Sequence, residues 1–136
     1  MHTTILICSA SLVILTLLLA FWTSVQRGSS NVIAYGAPLE PTSAMAKAQR
    51  AHGNAAEYAA LLIALFVIVG FAYAERDLGG LVKWTIIAVT VSRLVHAIGF
   101  LTCKTLEKPH ILKAIGALIT YGGGLLLAAL VLIKVH

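Results

Sequence analysis

The chain has 136 residues, of which 60% are hydrophobic and only 11% are charged, with a mean hydropathy of +0.94 and a formal net charge of +5. Soluble globular domains are close to half apolar and a quarter charged, so this composition excludes that class and indicates one integral membrane domain, residues 1–136. The positive charge does not indicate a nucleic-acid partner, because the basic residues are scattered at the ends of apolar runs, where they are typical of membrane anchoring.

Four apolar runs are long enough to cross a membrane, and short polar segments separate them. The first run has no lysine or arginine before it and no small-residue cleavage site, which predicts a membrane span and not a signal peptide. The second run is longer than a bilayer needs, so its first turns are expected to protrude or to line a polar site. The predicted fold is an all-α bundle of four transmembrane helices, spanning residues 4–24, 43–74, 81–102 and 110–135.

Four spans put the first and third connecting loops on the same side of the membrane. That side carries more basic residues than the other side does. The positive-inside rule therefore predicts that these two loops are cytoplasmic and that both termini lie on the opposite side. The basic residues of the first side are Arg27, Lys47, Arg50, Lys104, Lys108 and Lys113, and the charged residues of the other are Glu75, Arg76, Asp77, Lys83 and Lys134.

The most informative stretch is Arg50-Ala-His-Gly-Asn54-Ala-Ala-Glu57-Tyr58, near the beginning of the second span. A helix turns about 100° per residue, so Arg50, Asn54 and Glu57 lie in one narrow stripe, with Tyr58 at its edge. A polar stripe on an otherwise apolar helix must face something polar.

The third span carries a second stripe, formed by Arg93, His96 and Phe100. With a rise of about 1.5 Å per residue, Arg93 and Glu57 lie at similar depth, roughly 14–20 Å along their helices. An arginine at the membrane centre costs roughly 2.5–3.5 kcal/mol, and more without a partner, so the sequence predicts that Arg93 pairs with Glu57.

This ion pair could have a purely structural role and fix the packing of the two helices. However, the basic residues outnumber the one buried acid, and arginine side chains bind carboxylates through two parallel hydrogen bonds. The two stripes therefore also predict an anionic ligand that enters from the cytoplasmic side.

Other polar residues within the spans give weaker indications. His96 could carry a proton or could be a hydrogen-bonded structural residue. Tyr121, beside three glycines, is expected to have a packing role. Cys8 and Cys103 are expected at opposite membrane faces, and no spacing of histidines or cysteines predicts a metal site.

Taken together, the first stretch and Arg93-Leu-Val-His96-Ala-Ile-Gly-Phe100 resemble the MAPEG family, the membrane-associated proteins in eicosanoid and glutathione metabolism, and most of all its small bacterial members. The resemblance covers most of the chain, in four spans of matching order. It implies a homotrimer that holds glutathione, a co-substrate, between neighbouring subunits at the cytoplasmic side. The glutathione contacts that it implies are Arg50, Asn54, Glu57, Tyr58, Arg93 and His96. Arg27, at the end of the first span, is a further candidate contact, supplied by a neighbouring subunit.

Two departures from the family pattern bear on catalysis. Phe100 stands where the better-known enzymes have a tyrosine, which removes a hydroxyl donor. Those enzymes also use an arginine near the start of the last span to stabilise the thiolate, and no arginine follows Arg93 here. Lys108 and Lys113 are the available cations, and the loop spacing does not decide between them. A lysine also lacks the planar fork of an arginine.

The sequence therefore predicts a glutathione transferase or peroxidase, in which cations including Arg93 favour a thiolate that attacks a lipophilic electrophile arriving from the membrane lipid. Two alternatives stay open. One is a non-catalytic glutathione or lipid-metabolite binder, or a scaffold, of the same fold, which Phe100 and the missing late arginine favour. The other is a small proton-coupled transporter, which would need Glu57 to titrate near neutral pH although the neighbouring arginines are expected to keep it ionised.

Overall fold

The computed structural model describes residues 2–30, 39–75 and 77–135. These ranges contain four long helices and no β-strand: α1 (Thr3–Ser30), α2 (Ala44–Ala72), α3 (Gly79–Thr102) and α4 (Ile111–Val135). Each helix is long and apolar enough to cross a membrane. The protein is therefore a multi-pass integral membrane protein, and the predicted all-α bundle of four transmembrane helices is confirmed.

Helix α1 continues beyond its predicted end. The sequence predicts a span that stops at Ser24 and gives way to a polar loop, but the helix runs to Ser30. The hydroxyls of Ser29 and Ser30 donate to the backbone carbonyl of Gln26 at 3.1 and 2.6 Å, so these polar side chains bond within the helical conformation. A run of polar residues without a proline is therefore only a weak signal for the end of a helix. The later part of the predicted loop, residues 31–38, lies outside the described residues.

The four helices alternate in direction, so the first and third connecting segments meet at one end of the bundle. At that end, the backbone N–H of Leu106 donates to the carbonyl of Pro41 at 3.1 Å. At the other end, the His2 ring bonds the carbonyl of Tyr73 at 2.9 Å, and the Lys134 ammonium lies 5.5 Å from the centre of the Tyr73 ring. Helices α2 and α4 therefore begin at the same end of the bundle. Arg76, one of the charges assigned to the opposite end, lies outside the described residues.

Local chemistry sets the start of two helices. Ser43 caps α2, because its hydroxyl oxygen accepts the backbone N–H of Ala46 at 3.1 Å. Gly79 begins α3 with a φ of +71°, a left-handed conformation that side chains with a Cβ rarely adopt. This glycine lets the chain reverse direction within a short turn after α2.

The bundle consists of two closely packed helical hairpins. Helix α1 packs mainly on α2 and α3 mainly on α4, and each individual contact between a helix of one pair and a helix of the other is smaller. The larger core cluster spans all four helices, and a smaller one lies nearer the end where α2 begins. Members of the first include Ile5, Leu12, Phe66, Ile86, Val89 and Leu127, and those of the second are Leu19, Ala51, Ala55, Ala97 and Phe100.

Helices α3 and α4 approach closely because Gly116 has no side chain. A Cβ atom at this position would lie 2.6 Å from the Cβ of His96 and 2.8 Å from the backbone oxygen of Ser92. One helical turn further along α4, the hydroxyls of Ser92 and Thr120 share a buried hydrogen bond of 2.9 Å. Small residues and interhelical hydroxyl bonds drive helix association in membranes, where burial of apolar surface gives little advantage.

Replacing Gly116 with Ala should lower the thermal unfolding temperature of the detergent-solubilised protein. The added methyl group meets a backbone oxygen that cannot move aside, and such overpacking costs about 1–3 kcal/mol. The matched control is Gly122→Ala, where a Cβ has no atom within 4 Å and helix propensity favours alanine by roughly 0.5–1 kcal/mol. Equal unfolding temperatures for the two variants would contradict the close approach at Gly116.

Candidate functional site

The centre of the site is the guanidinium of Arg93, which is buried between α3 and α2 with only 3% of the residue exposed. One of its nitrogens donates to the side-chain oxygen of Asn54 and, at 3.2 Å, to the backbone oxygen of the same residue. Its Cζ atom lies 4.7 Å from the centre of the Tyr58 ring, a distance typical of a cation–π contact. Asn54 and Tyr58 of the α2 stripe therefore hold Arg93 in place.

The predicted ion pair between Glu57 and Arg93 is wrong. Glu57 is exposed on the outer side of α2 and makes no ion pair with Arg93. The similar depth of the two residues suggested that they pair, but rotation around the helix decides which residue meets α3. Glu57 is turned about 60° from Asn54 and about 100° from Tyr58, away from α3. The partners of Arg93 are therefore neutral.

The α2 stripe is divided between two faces of the helix. Asn54 and Tyr58 face α3, whereas Arg50 and Glu57 are exposed on the outer side, two turns apart. Neither of these two charged residues has a hydrogen bond or an ion pair with a described residue of the chain. The outer face of α2 thus presents one cation and one anion.

His96, one turn after Arg93 on α3, links this helix to α4. Its Nδ1 atom lies 2.7 Å from the backbone oxygen of Lys113, so Nδ1 carries the proton and donates it to the carbonyl. The imidazole and the Phe100 ring are perpendicular, with ring centres 5.0 Å apart and an interplanar angle of 89°. Of the two predicted roles of His96, this geometry supports the hydrogen-bonded structural one.

The structure distinguishes the two lysines between which the sequence does not decide. Lys113, in the first turn of α4, donates from Nζ to the Lys108 carbonyl at 3.1 Å, and its ammonium lies 5.4 Å from the centre of the Phe100 ring. Lys108 contributes only its backbone oxygen to this arrangement. Lys108 is exposed, and it lines a separate cavity of about 370 Å³ together with Lys104 and His110. Lys113 is therefore the lysine next to the α3 stripe.

Arg27, the remaining predicted residue, is half-buried in the last turn of α1. It lies at the end of the bundle where α2 and α4 begin, as do Arg50 and Lys113. The contacts of Arg93 described above come from α2 and do not include α1.

Tyr121 on α4 also belongs to this cluster, although the sequence predicts only a packing role for it. Its hydroxyl accepts a hydrogen bond from the Tyr58 hydroxyl at 3.3 Å, and the two ring centres are 5.8 Å apart. Tyr121 is 49% exposed. The signal in the sequence was a phenol in the middle of an otherwise apolar span, a position where a hydroxyl needs a partner.

The two tyrosines stand at one end of an apolar groove of about 510 Å³ between α2 and α4. We call this cavity the α2–α4 groove. Along α2 its lining begins at Tyr58 and continues to Ile68, and along α4 it begins at Thr120 and continues to Ala128. The groove is therefore about 15 Å long and runs from the tyrosine pair along the membrane-spanning part of the bundle.

The MAPEG family model matches residues 5–133, which is nearly the whole chain. The chain belongs to the MAPEG family. This membership confirms the resemblance inferred from the two motifs, and the four-helix architecture is that of the family. MAPEG proteins include glutathione-dependent transferases and peroxidases. A search of curated proteins found none that matches this MAPEG protein.

The contact between Arg93 and Asn54 can be measured with a double-mutant cycle. Asn54→Leu leaves a buried guanidinium without its side-chain acceptor and should destabilise the protein by about 2–3 kcal/mol. Arg93→Met removes the charge, so adding Asn54→Leu to it should cost much less, with a coupling energy of about 1–3 kcal/mol. The measurement is denaturant unfolding of the wild type, both single variants and the double variant in detergent. Additive effects would show that the two side chains do not interact.

Proposed function

We propose that this MAPEG protein binds glutathione and acts as a glutathione transferase or peroxidase on lipophilic electrophiles. The observation that carries this proposal is the environment of Arg93. Its buried guanidinium is held by Asn54 and by the ring of Tyr58, and it forms no ion pair with a described acidic residue. A cation held by neutral partners inside a membrane protein keeps its attraction for an anionic ligand, because the surrounding dielectric constant is low.

The charges around Arg93 match those of glutathione, which has two carboxylates and one ammonium group. Arg50 and Arg93 are suited to the carboxylates, since a guanidinium binds a carboxylate in two-point geometry. Glu57, exposed near Arg50, is suited to the ammonium group. Asn54 and Tyr58 add neutral polar groups, and His96 lies one turn from Arg93 on the same side of α3.

The exposed charges on α2 support a homotrimer in which a neighbouring subunit completes the site. Glu57 is thirteen residues into α2, or about 20 Å from its start, where an uncovered carboxylate facing lipid would be costly. The basic end of α1, with Arg27, is suited to cover this face from the neighbouring subunit. By the positive-inside rule the site opens to the cytoplasm and the termini lie on the opposite side.

The proposed mechanism rests on activation of the glutathione thiol by fixed positive charge. Arg93 lies one turn before His96 on α3, and the Lys113 ammonium lies 5.4 Å from the centre of the Phe100 ring. Cations in such a site favour the thiolate over the thiol. The sulphur then attacks an electrophile that enters laterally from the membrane lipid. The α2–α4 groove is suited to the apolar tail of this electrophile, because it is lined by apolar side chains and ends at Tyr58, the residue that contacts Arg93.

Removing either arginine should weaken glutathione binding. Arg50→Ala and Arg93→Met are each expected to raise the dissociation constant about 10- to 100-fold, because each loses a charge-assisted hydrogen bond of about 1.5–3 kcal/mol. Arg50 is exposed, so its variant should fold normally. Isothermal calorimetry in detergent is the measurement, and Lys83→Ala, an exposed cation at the opposite end, is the control. Unchanged affinity in both arginine variants would contradict the proposed site.

The role of Lys113 can be measured through the ultraviolet absorbance of the glutathione thiolate. The wild type should show a thiolate band near neutral pH, and Lys113→Met should move its appearance upward by about one pH unit, because one nearby cation is lost. Lys108→Met, which removes a side chain outside this cluster, is the matched control. Binding without any thiolate band in the wild type would support the non-catalytic binder in place of the enzyme.

A further inference from the structure

The tyrosine pair between α2 and α4 leaves one hydrogen-bond donor unused. Tyr58 donates its hydroxyl proton to the oxygen of Tyr121 at 3.3 Å. Within the described parts of the chain, no group accepts the hydroxyl proton of Tyr121. In apolar surroundings a hydroxyl without an acceptor is unfavourable by about 1–3 kcal/mol, so this donor is available for an oxygen atom of a ligand.

Arg93 strengthens this donor through Tyr58. The guanidinium lies over the face of the Tyr58 ring at 4.7 Å and attracts its π electrons, which makes the Tyr58 hydroxyl a better donor. A hydroxyl that accepts a hydrogen bond becomes a better donor itself, because successive hydrogen bonds polarise one another. The charge of Arg93 therefore acts on Tyr121 although the two residues are on different helices.

The position of Tyr121 joins two regions of different chemistry. On one side is the cluster of Arg93 and Asn54, where glutathione is proposed to bind. On the other side is the α2–α4 groove, whose remaining lining along both helices consists almost entirely of aliphatic residues. A molecule with its tail in this groove and its polar end beside Tyr58 would have that end within reach of the Tyr121 hydroxyl.

We propose that Tyr121 selects substrates by donating a hydrogen bond to the carbonyl oxygen of an electrophile whose alkyl tail lies in the α2–α4 groove. The substrate class is an aliphatic aldehyde or ketone with a carbon–carbon double bond next to the carbonyl. This inference rests on the proposed glutathione transferase function and adds a specificity-determining residue to it. The apolar tail is the occupant of the groove, because the groove is lined by apolar side chains and ends at the tyrosine pair, where the Tyr121 hydroxyl offers a donor.

The reaction is a conjugate addition. The glutathione sulphur forms a bond to the β-carbon, and the π electrons of the double bond move to give an enolate whose negative charge lies mainly on oxygen. The Tyr121 hydroxyl stabilises this oxyanion. The proton released when the thiol became a thiolate is returned through solvent to the α-carbon, which restores the carbonyl. Glutathione and the substrate thus combine into one thioether, and nothing is oxidised or reduced.

The test compares two electrophiles of equal chain length, an alkyl 2-enal and a primary alkyl iodide, with wild-type protein in detergent. Only the enal develops negative charge on an oxygen. Tyr121→Phe keeps the ring and removes the hydroxyl, and it should lower the ratio of kcat/KM for the enal to that for the iodide about 100-fold, as for loss of an oxyanion donor. Tyr73→Phe is the matched control, because its ring lies at the far end of α2, beside Lys134.

A binding measurement gives a second result that does not depend on turnover. A saturated alkyl ketone with a ¹³C-labelled carbonyl should show its infrared carbonyl stretch at lower frequency when bound to the wild type, because the oxygen accepts a hydrogen bond. The shift should be absent in Tyr121→Phe and present in Tyr73→Phe.

The possible outcomes separate this inference from the function on which it rests. An unchanged enal-to-iodide ratio in Tyr121→Phe, with glutathione affinity intact, would overturn the role of Tyr121 and leave the transferase function standing. An infrared shift that persists in Tyr121→Phe would also overturn it. If the ketone does not displace lipid or a neighbouring copy of the chain from the groove, no shifted band appears in the wild type, and the proposed occupant is wrong. If the wild type neither binds glutathione nor conjugates either electrophile, both proposals fail.

Discussion

The arrangement of this bundle depends on one interaction, the binding of a buried arginine by neutral partners. Arg93 cannot remain uncompensated inside a membrane domain, and α2 supplies an amide oxygen, a backbone oxygen and an aromatic face to it. These groups stabilise the guanidinium without cancelling its charge. An ion pair with Glu57 would have produced a closed structural contact. The neutral partners instead leave a positive centre, and a positive centre attracts anions.

Two sets of contacts connect Arg93 to two regions of different chemistry. Along α3, His96 and Phe100 connect it to Lys113 and so to the end of the bundle where α2 and α4 begin. Across α2, Tyr58 connects it to Tyr121 and to the apolar groove. A hydrophilic thiol and a lipophilic electrophile must meet in any membrane-bound transferase. The chain has a polar cluster and an apolar groove that meet at Tyr58 and Tyr121.

The fold could be predicted from the sequence because each membrane span is a long apolar run. The two motifs also identified the helix faces that carry Asn54 and Arg93. The sequence could not predict which member of the α2 stripe meets α3, since a rotation of about 60° separates Asn54 from Glu57 and a helical period does not fix the rotation. The choice between Lys108 and Lys113 depends on how the loop before α4 folds, which has no periodic signal. For Tyr121 the packing role was predicted, but its hydroxyl bond to Tyr58 was not, because that partner is 63 residues away.

The division of the bundle into two helical hairpins has a consequence for assembly. Helices α1 and α2 form one unit, α3 and α4 another, and the second is joined tightly at Gly116 and by the bond between Ser92 and Thr120. The contact of Arg93 with Asn54 and that of Tyr58 with Tyr121 both cross from one unit to the other. When preformed helices associate within the bilayer, the site therefore comes into existence only as the two hairpins dock. A ligand that binds only the complete site also stabilises the docked bundle, so ligand binding and the docking of the two hairpins are thermodynamically linked.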